Sequence, residues 1–304
     1  MSWKSLRRHA GKLVSTVAAV SLGVCATAAT RPAAAPEPKP ALWKLSDADT
    51  TIYLFGTIHI LPKDMAWRTP VLEKAIEDSD ELVLETADGV DLTKTAKVMM
   101  TMATSPGLPP LADRVPPEKR AGLAALIKSA GVPAKMLDGM ETWAAAMMLT
   151  AMSFRTMGYN AEAGVERGLA SLYGAEKKPV LGLETIEQQF GFFDTLPEET
   201  QRVFLEGTIE DPETSRATFT AMLRAWASGD TDAIARTFDG EASLTPELRE
   251  VLMKRRNAAW TDWLAKRLDK PGTVMVAVGA GHLAGQDSVQ EMLAARGLKA
   301  ERVQ

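Results

Sequence analysis

The sequence predicts an α/β protein with a central mixed sheet, and three observations carry that prediction. Short apolar runs stand toward both ends of the chain, at Thr51–Phe55, Glu81–Glu85, Pro179–Leu183 and Thr273–Val278. A long stretch with helical periodicity lies between them. Two of the runs end alike, with a glycine followed three residues later by a histidine: Gly56-Thr57-Ile58-His59 and Gly279-Ala280-Gly281-His282. Strands at both ends with helices between them read as one α/β domain over residues 42–304 with a helical insertion over about 91–172, not as two independent domains.

The first residues stand apart from that domain. Lys4, Arg7, Arg8 and Lys12 form a basic start, Leu13 to Ala29 carries no charge, and Ala26-Thr27-Ala28 fits a small-residue cleavage pattern. This is the layout of a secretory signal over residues 1–28, so the mature chain is expected to be periplasmic or secreted. The apolar run is short of the roughly 20 residues a bilayer needs and its centre is rich in Ala, Ser and Thr, so no transmembrane segment is expected in the mature chain. Lipid anchoring at Cys25 is the weaker alternative, because Val24 is a poor residue for that cleavage box. Residues 29–41, which include RPAAAPEPKP, read as an extended Pro/Ala-rich linker.

The elements follow in order. Trp43-Lys44-Leu45, the turn-forming Ser46-Asp47-Ala48-Asp49 and the run Thr51–Phe55 make a hairpin. Val71, Leu72, Ala75 and Ile76 mark a helix over 70–78, and Glu81–Glu85 is a strand. The insertion is Met-rich, and its segment Glu141–Thr156 is apolar nearly all round, which predicts a buried helix. Met99, Met100, Met102, Met147, Met148 and Met152 are read as core filling rather than as an adaptable binding groove. Pro179–Leu183 is a buried-type strand leading into a helix. Helices run from Pro197 to Leu268, broken at Pro212, Gly229 and Pro246. Thr273–Val278 is a strand, a helix covers 286–296, and a last short strand lies near Ala300.

Composition excludes several chemistries. Cys25, the one cysteine, lies in the signal, so the mature chain has no disulfide, thiolate ligand or cysteine nucleophile. Without the four basic signal residues the formal charge moves from −4 to −8, and no basic footprint for nucleic acid survives. No GxSxG elbow, HExxH helix or phosphate-binding GxxxxGKS loop occurs. Val278-Gly279-Ala280-Gly281 with Glu301 some twenty residues on suggests a dinucleotide fingerprint, but the spacing to Gly285 is one residue too long and no room follows for the sheet.

The chain has three histidines, and once His9 leaves with the signal both survivors, His59 and His282, sit in a GxxH frame at a strand end. Glycine frees the backbone for a tight turn there, and loops beyond the carboxyl ends of strands are where α/β proteins build sites. Glu85 and Glu184 also end apolar strands, so parallel strands would bring them to the same rim. Two imidazoles and one or two carboxylates suit a divalent ion such as Mn²⁺, Co²⁺ or Zn²⁺, able to activate a water. His59, His282 and Glu85 are the expected metal ligands. Glu85 and Glu184 are the expected catalytic carboxylates, the spare one moving the proton.

These features together resemble the TraB/PrgY/GumN family, which includes TIKI-type metalloproteases. The match runs through Trp43-Lys44, Gly56-Thr57-Ile58-His59 and Leu82-Val83-Leu84-Glu85. It continues through Lys178-Pro179-Val180, Gly182-Leu183-Glu184-Thr185, Arg256-Asn257 with Trp260, and Val278-Gly279-Ala280-Gly281-His282-Leu283 with Gly285. The resemblance implies metal-dependent cleavage of a peptide or related carbonyl bond using His59, His282 and Glu85, with Arg256 and Asn257 as substrate-binding polar residues. For Arg256 the competing expectation is a solvated helix face shared with Lys254 and Arg255. The sequence thus points to an exported divalent-metal hydrolase. Its alternative is a non-catalytic exported protein that sequesters a peptide, haem or metal.

Overall fold

The computed structural model describes residues 37–240 and 244–304. The expected signal, residues 1–28, and most of the expected linker lie outside the described residues. The last residues of that linker are packed rather than free. Lys39 donates its backbone N–H to the Ala227 carbonyl, Gln304 Nε2 donates to the Pro40 carbonyl, and Ala41 is buried.

The strands are β1 (Leu42–Ser46), β2 (Thr50–Thr57), β3 (Leu61–Pro62), β4 (Glu81–Thr86), β5 (Tyr159–Asn160), β6 (Val180–Glu184), β7 (Gly272–Gly279) and β8 (Glu301–Arg302). Six form a mixed sheet in the order β6-β4-β7-β2-β1-β8. Within it β6, β4, β7 and β2 are mutually parallel, while β1 runs antiparallel to both β2 and β8. The hairpin β1–β2 was legible from its turn, where Asp47 Oδ1 accepts the N–H groups of Asp49 and Thr50. The small β3–β5 pair, joining the insertion to the loop after β2, had no sequence signal.

Helices cover both faces of the sheet. Phe55, Leu82, Leu84, Met275 and Ala277 face one cluster, with Leu72 and Ile76 of the helix Pro70–Asp78, Leu169 and Tyr173 of Val165–Ala175, and Leu223 and Trp226 of Pro212–Ser228. Ile52, Leu54, Val83, Val274, Val276 and Val278 face the other, against Trp260 and Leu264 of the helix Arg255–Arg267 and Leu293 of Val289–Ala294. Burial on both faces is why β2, β4 and β7 read as continuous apolar runs instead of alternating ones. A third cluster belongs to the insertion, where Trp143 packs among Leu123, Leu137, Phe190 and Leu205.

Two expectations need correction. Pro179–Leu183 was read as a buried strand, but β6 is the sheet's edge, and Leu181 is 45% exposed. An apolar run does not distinguish an edge strand from a central one. The helix expected over 286–296 is confined to Val289–Ala294, because residues 280–283 form a tight 3₁₀ turn and Gly285 adopts a positive φ of 80°. The helix expected at 141–156 forms as Thr142–Thr156, with its buried residues all in the first half. Five of the six methionines pack against the insertion's core as expected, while Met100 is 58% exposed. No helix of the described residues is long and apolar enough to cross a membrane.

Candidate active site

Because β2, β7, β4 and β6 are parallel neighbours, their carboxyl ends form one rim. Thr57 lies beside Gly279 in the β2–β7 register, and Thr86 beside Glu184 in the β4–β6 register. His59 and His282 follow shortly after β2 and β7, Glu85 is the last residue but one of β4, and Glu184 closes β6. The geometry meets at Gly279. A Cβ placed on that residue would lie 3.0 Å from Glu85 Oε1, 3.6 Å from His282 Cδ2 and 3.8 Å from His59 Nε2. The glycine thus leaves a gap into which two imidazoles and a carboxylate turn.

Arg256 organises the buried side of the gap. Its Nη2 donates to Glu85 Oε2 at 2.6 Å and to Glu184 Oε2 at 2.9 Å, and its Nε donates to Glu184 Oε1 at 3.0 Å. Gln189 Nε2 bridges the same two carboxylates, Trp260 Nε1 donates to Glu184 Oε1 at 3.0 Å, and the Gly279 N–H donates to Glu85 Oε1 at 2.7 Å. The guanidinium also lies over the Trp260 ring, 4.7 Å from its centroid. Arg256 is therefore buried, and the expectation of a solvated helix face shared with Lys254 and Arg255 is overturned. Burial alone would push Glu85 up. His282, Arg256 and His59 beside it, with the Gly279 N–H, outweigh it, and the carboxylate is held well below the usual range.

The two histidines have their outer nitrogens held differently. His282 is buried, and its Nδ1 lies 2.6 Å from Asn257 Oδ1. Asn257 Nδ2 donates to the Asp287 carbonyl, so Oδ1 is the acceptor and the imidazole proton sits on Nδ1. Nε2 then carries the lone pair, which receives Arg256 Nη1 at 3.2 Å and lies 3.8 Å from Glu85 Oε1. Burial, reinforced by Arg256 and opposed by Glu85, lowers His282 from 6.5 to about 3, so its ring is neutral. His59 is 65% exposed, and its Nδ1 pairs with Glu166 Oε1 at 2.7 Å. Glu166 raises the His59 pKa from 6.5, an effect moderated by solvent screening over the open face of the ring. Thr57 Oγ1 donates to the same Glu166 oxygen.

All six expected residues are thereby brought to one place. Arg256 is committed to Glu85 and Glu184, while Asn257 holds His282. Three participants had escaped the sequence reading: Glu166, Gln189 and Thr57. Glu166 lies at the start of the helix Val165–Ala175, whose Val165 N–H donates to the Ile58 carbonyl. Its one available signal was Gly164, where a Cβ would fall 2.2 Å from the His59 carbonyl oxygen.

The donor chemistry suits a divalent ion. Each histidine has Nδ1 tied to an oxygen and Nε2 directed inward, an outer arrangement that fixes tautomer and orientation around metal-binding imidazoles. As placed, Arg256 Nη1 takes up the His282 lone pair. Among the described residues, no three His, Cys, Asp or Glu side chains stand at ion-holding distance.

Fold and site together define an α/β protein with a His/Glu/Arg centre at the carboxyl rim of a parallel sheet. The chain belongs to the TraB/PrgY/gumN family, whose profile matches residues 41–302. It is 28% identical over 241 residues to the uncharacterized protein YbaP of Escherichia coli (strain K12), covering 79% of this chain and 87% of that one. The uncharacterized protein YbaP of Shigella flexneri matches to the same extent. No solved structure matches.

Proposed function

We propose that this protein is an exported hydrolase of peptide or related carbonyl bonds, centred on His59, His282 and Glu85 and dependent on a divalent ion, Mn²⁺, Co²⁺ or Zn²⁺. The observation that carries the reading is the convergence of the three side chains on the Gly279 gap, with Glu166 and Asn257 holding the outward nitrogens. An ion held there supplies Lewis acidity and lowers the pKa of water.

The chain's own residues supply the rest. His282, neutral through burial, offers a lone pair once Arg256 Nη1 is displaced from it. His59 must first lose a proton that Glu166 helps it keep, so occupancy of the centre strengthens with rising pH. Glu85, held ionised, balances the positive charge. Arg256, paired with Glu85 and Glu184 and lying over the Trp260 ring, provides a cation to stabilise negative charge developing on a carbonyl oxygen. Glu184 serves by anchoring Arg256 rather than by carrying a proton.

The His59–Glu166 pair favours one second reading. An imidazole whose Nδ1 is oriented by a partly buried carboxylate and whose Nε2 faces a gap is the arrangement of a general base. Hydrolysis could then proceed without an ion, His59 taking the proton of the attacking water at Nε2. Metal content decides. The purified chain, His59→Ala, His282→Ala and Gly279→Ala are incubated with Mn²⁺, Co²⁺ and Zn²⁺ and freed of unbound ion. Stoichiometric metal in wild type and its loss in all three variants support the first reading. No bound metal, together with peptide cleavage resistant to chelator and abolished in Glu166→Gln, supports the second. No metal and no cleavage would leave a non-catalytic binding protein.

A further inference from the structure

The six-stranded sheet has two edges of opposite character. At one, β8 is two residues long and both are charged; Glu301 pairs with Lys299, and Arg302 donates to the carbonyls of Gly229 and Gln304. Short, charged edges resist pairing with another chain. At the other, β6 carries no charge from Pro179 to Leu183, and Leu181 and Gly182 are exposed. The ladder to β4 fixes which of its backbone groups are left over. The Leu82 N–H donates to the Pro179 carbonyl, and Val180, Gly182 and Glu184 stand beside Leu82, Leu84 and Thr86 in the parallel register. Alternate residues of a parallel ladder turn both backbone groups to the same side. Leu181 and Leu183 therefore face β4 as Pro179 does, while Val180, Gly182 and Glu184 face outward. Among the described residues, no backbone group pairs with these three from outside. A row of N–H and C=O groups repeating every roughly 6.6 Å is the complement of an extended peptide backbone.

This edge leads to the centre. Glu184, its last residue, shares Arg256 Nη2 with Glu85, so a chain laid along β6 and carried past Glu184 emerges at the rim that holds both carboxylates. The helix Ile186–Asp194 continues from β6, and against it packs the helix Leu92–Met102, which has no fully buried residue. Leu92 and Met100 of that helix are exposed, as is Leu181. Apolar surface is thus left both on the edge strand and on the helix that neighbours its continuation. A second copy of the chain fits the edge less well. Antiparallel self-pairing about Leu181 would set Lys178 opposite Glu184, and both are already committed. Lys178 holds Glu176 and the Glu77 carbonyl, while Glu184 accepts from Arg256, Gln189 and Trp260.

We propose that an extended peptide docks on the outer edge of β6 as an added strand and is carried past Glu184 into the centre. The assignment rests on the hydrolase reading for the fate of that peptide, but the docking itself is read without cleavage. The probe is an acetylated, amidated heptapeptide of alternating Thr and Val, titrated into the ion-free full chain up to millimolar concentration. Binding should slow hydrogen exchange at the Val180, Gly182 and Glu184 amides at least about twofold and leave the Glu301 and Arg302 amides unchanged. N-methylation at successive central positions of the peptide should weaken binding alternately. The loss should be about fivefold where the N–H faces β6, the worth of one hydrogen bond, and small where it faces away. Val180→Pro removes one outward N–H without touching the ladder to β4, and should weaken binding by about the same factor. Absence of saturable binding, protection that falls outside β6, or N-methyl losses without a two-residue alternation overturns the proposal. So does protection of these amides in peptide-free protein that fades on dilution, which would give the edge to a second copy. Alternating losses with no cleavage under any ion would retain the docking edge and defeat the hydrolase reading alone.

Discussion

The two GxxH loops begin from the same four-residue pattern on neighbouring parallel strands and deliver their histidines into opposite surroundings. His59 stands open to water, tied to an anion. His282 is enclosed, tied to a neutral amide and facing a cation. Motif spacing fixes where an imidazole emerges, but the residue behind it decides what charge it carries. Glu166 and Asn257, neither of them within a GxxH motif, set that difference.

The comparison can be broken most forcefully at the residue between the two sides. Arg256→Met would leave Glu85 and Glu184 buried without their cation, and loss of one partner of a buried pair costs about 3–5 kcal/mol. Urea unfolding should show a loss of this size, and a loss below about 1 kcal/mol would mean that the network contributes little to the fold. Next in size is Asn257→Ala, which leaves the buried His282 Nδ1–H without an acceptor, at about 1–3 kcal/mol. Glu166→Gln should cost less, because the His59 side of that pair is exposed and such pairs contribute roughly 0–1 kcal/mol. An equal cost for the two substitutions would erase the asymmetry.

Protonation sharpens the contrast further. In ion-free protein His282 is lowered and His59 raised, so their contributions to stability run in opposite directions with pH. The His282 contribution is full above its unfolded value near 6.5 and is lost as pH falls toward about 3. The His59 contribution is present below 6.5 and is lost as pH rises through its elevated value. Removing His282 should therefore flatten the acid limb of the stability curve, and removing His59 the alkaline limb. Imidazole NMR provides the finest test. The His59 resonance should titrate above 6.5 and return toward it in Glu166→Gln, while His282 stays neutral at pH 5. A His282 resonance titrating near 6.5 would show that burial and Arg256 do not control it.

Much of this arrangement was legible because local chemistry announces it. Pro70, Pro212 and Pro246 each begin a helix, Gly229 ends one in the left-handed conformation, and apolar runs mark the strands. The rim position of Glu85 and Glu184 followed once the strands were taken as parallel. Glu166 was not legible, since its role depends on a helix start folding back beside the Ile58 carbonyl, a contact between distant stretches of chain. The edge position of β6 escaped for the same reason. Arg256 was visible as a candidate but not as a buried cation, because its neighbours in sequence, Lys254 and Arg255, are exposed.

The place of β7 in the sheet has a consequence for the order in which the molecule can be made. This strand lies between β4 and β2, yet in chain order it comes after both of them, after the insertion and after the helices up to Arg267. A growing chain holds β2 and β4 long before the strand that must separate them exists, and their inner edges stay unpaired until then. Such long-range pairing slows folding and exposes the chain to aggregation meanwhile. A chain ending before Gly272 would lack His282 and would also leave two apolar strands with nothing between them. Completing the site and closing the sheet are therefore a single late event.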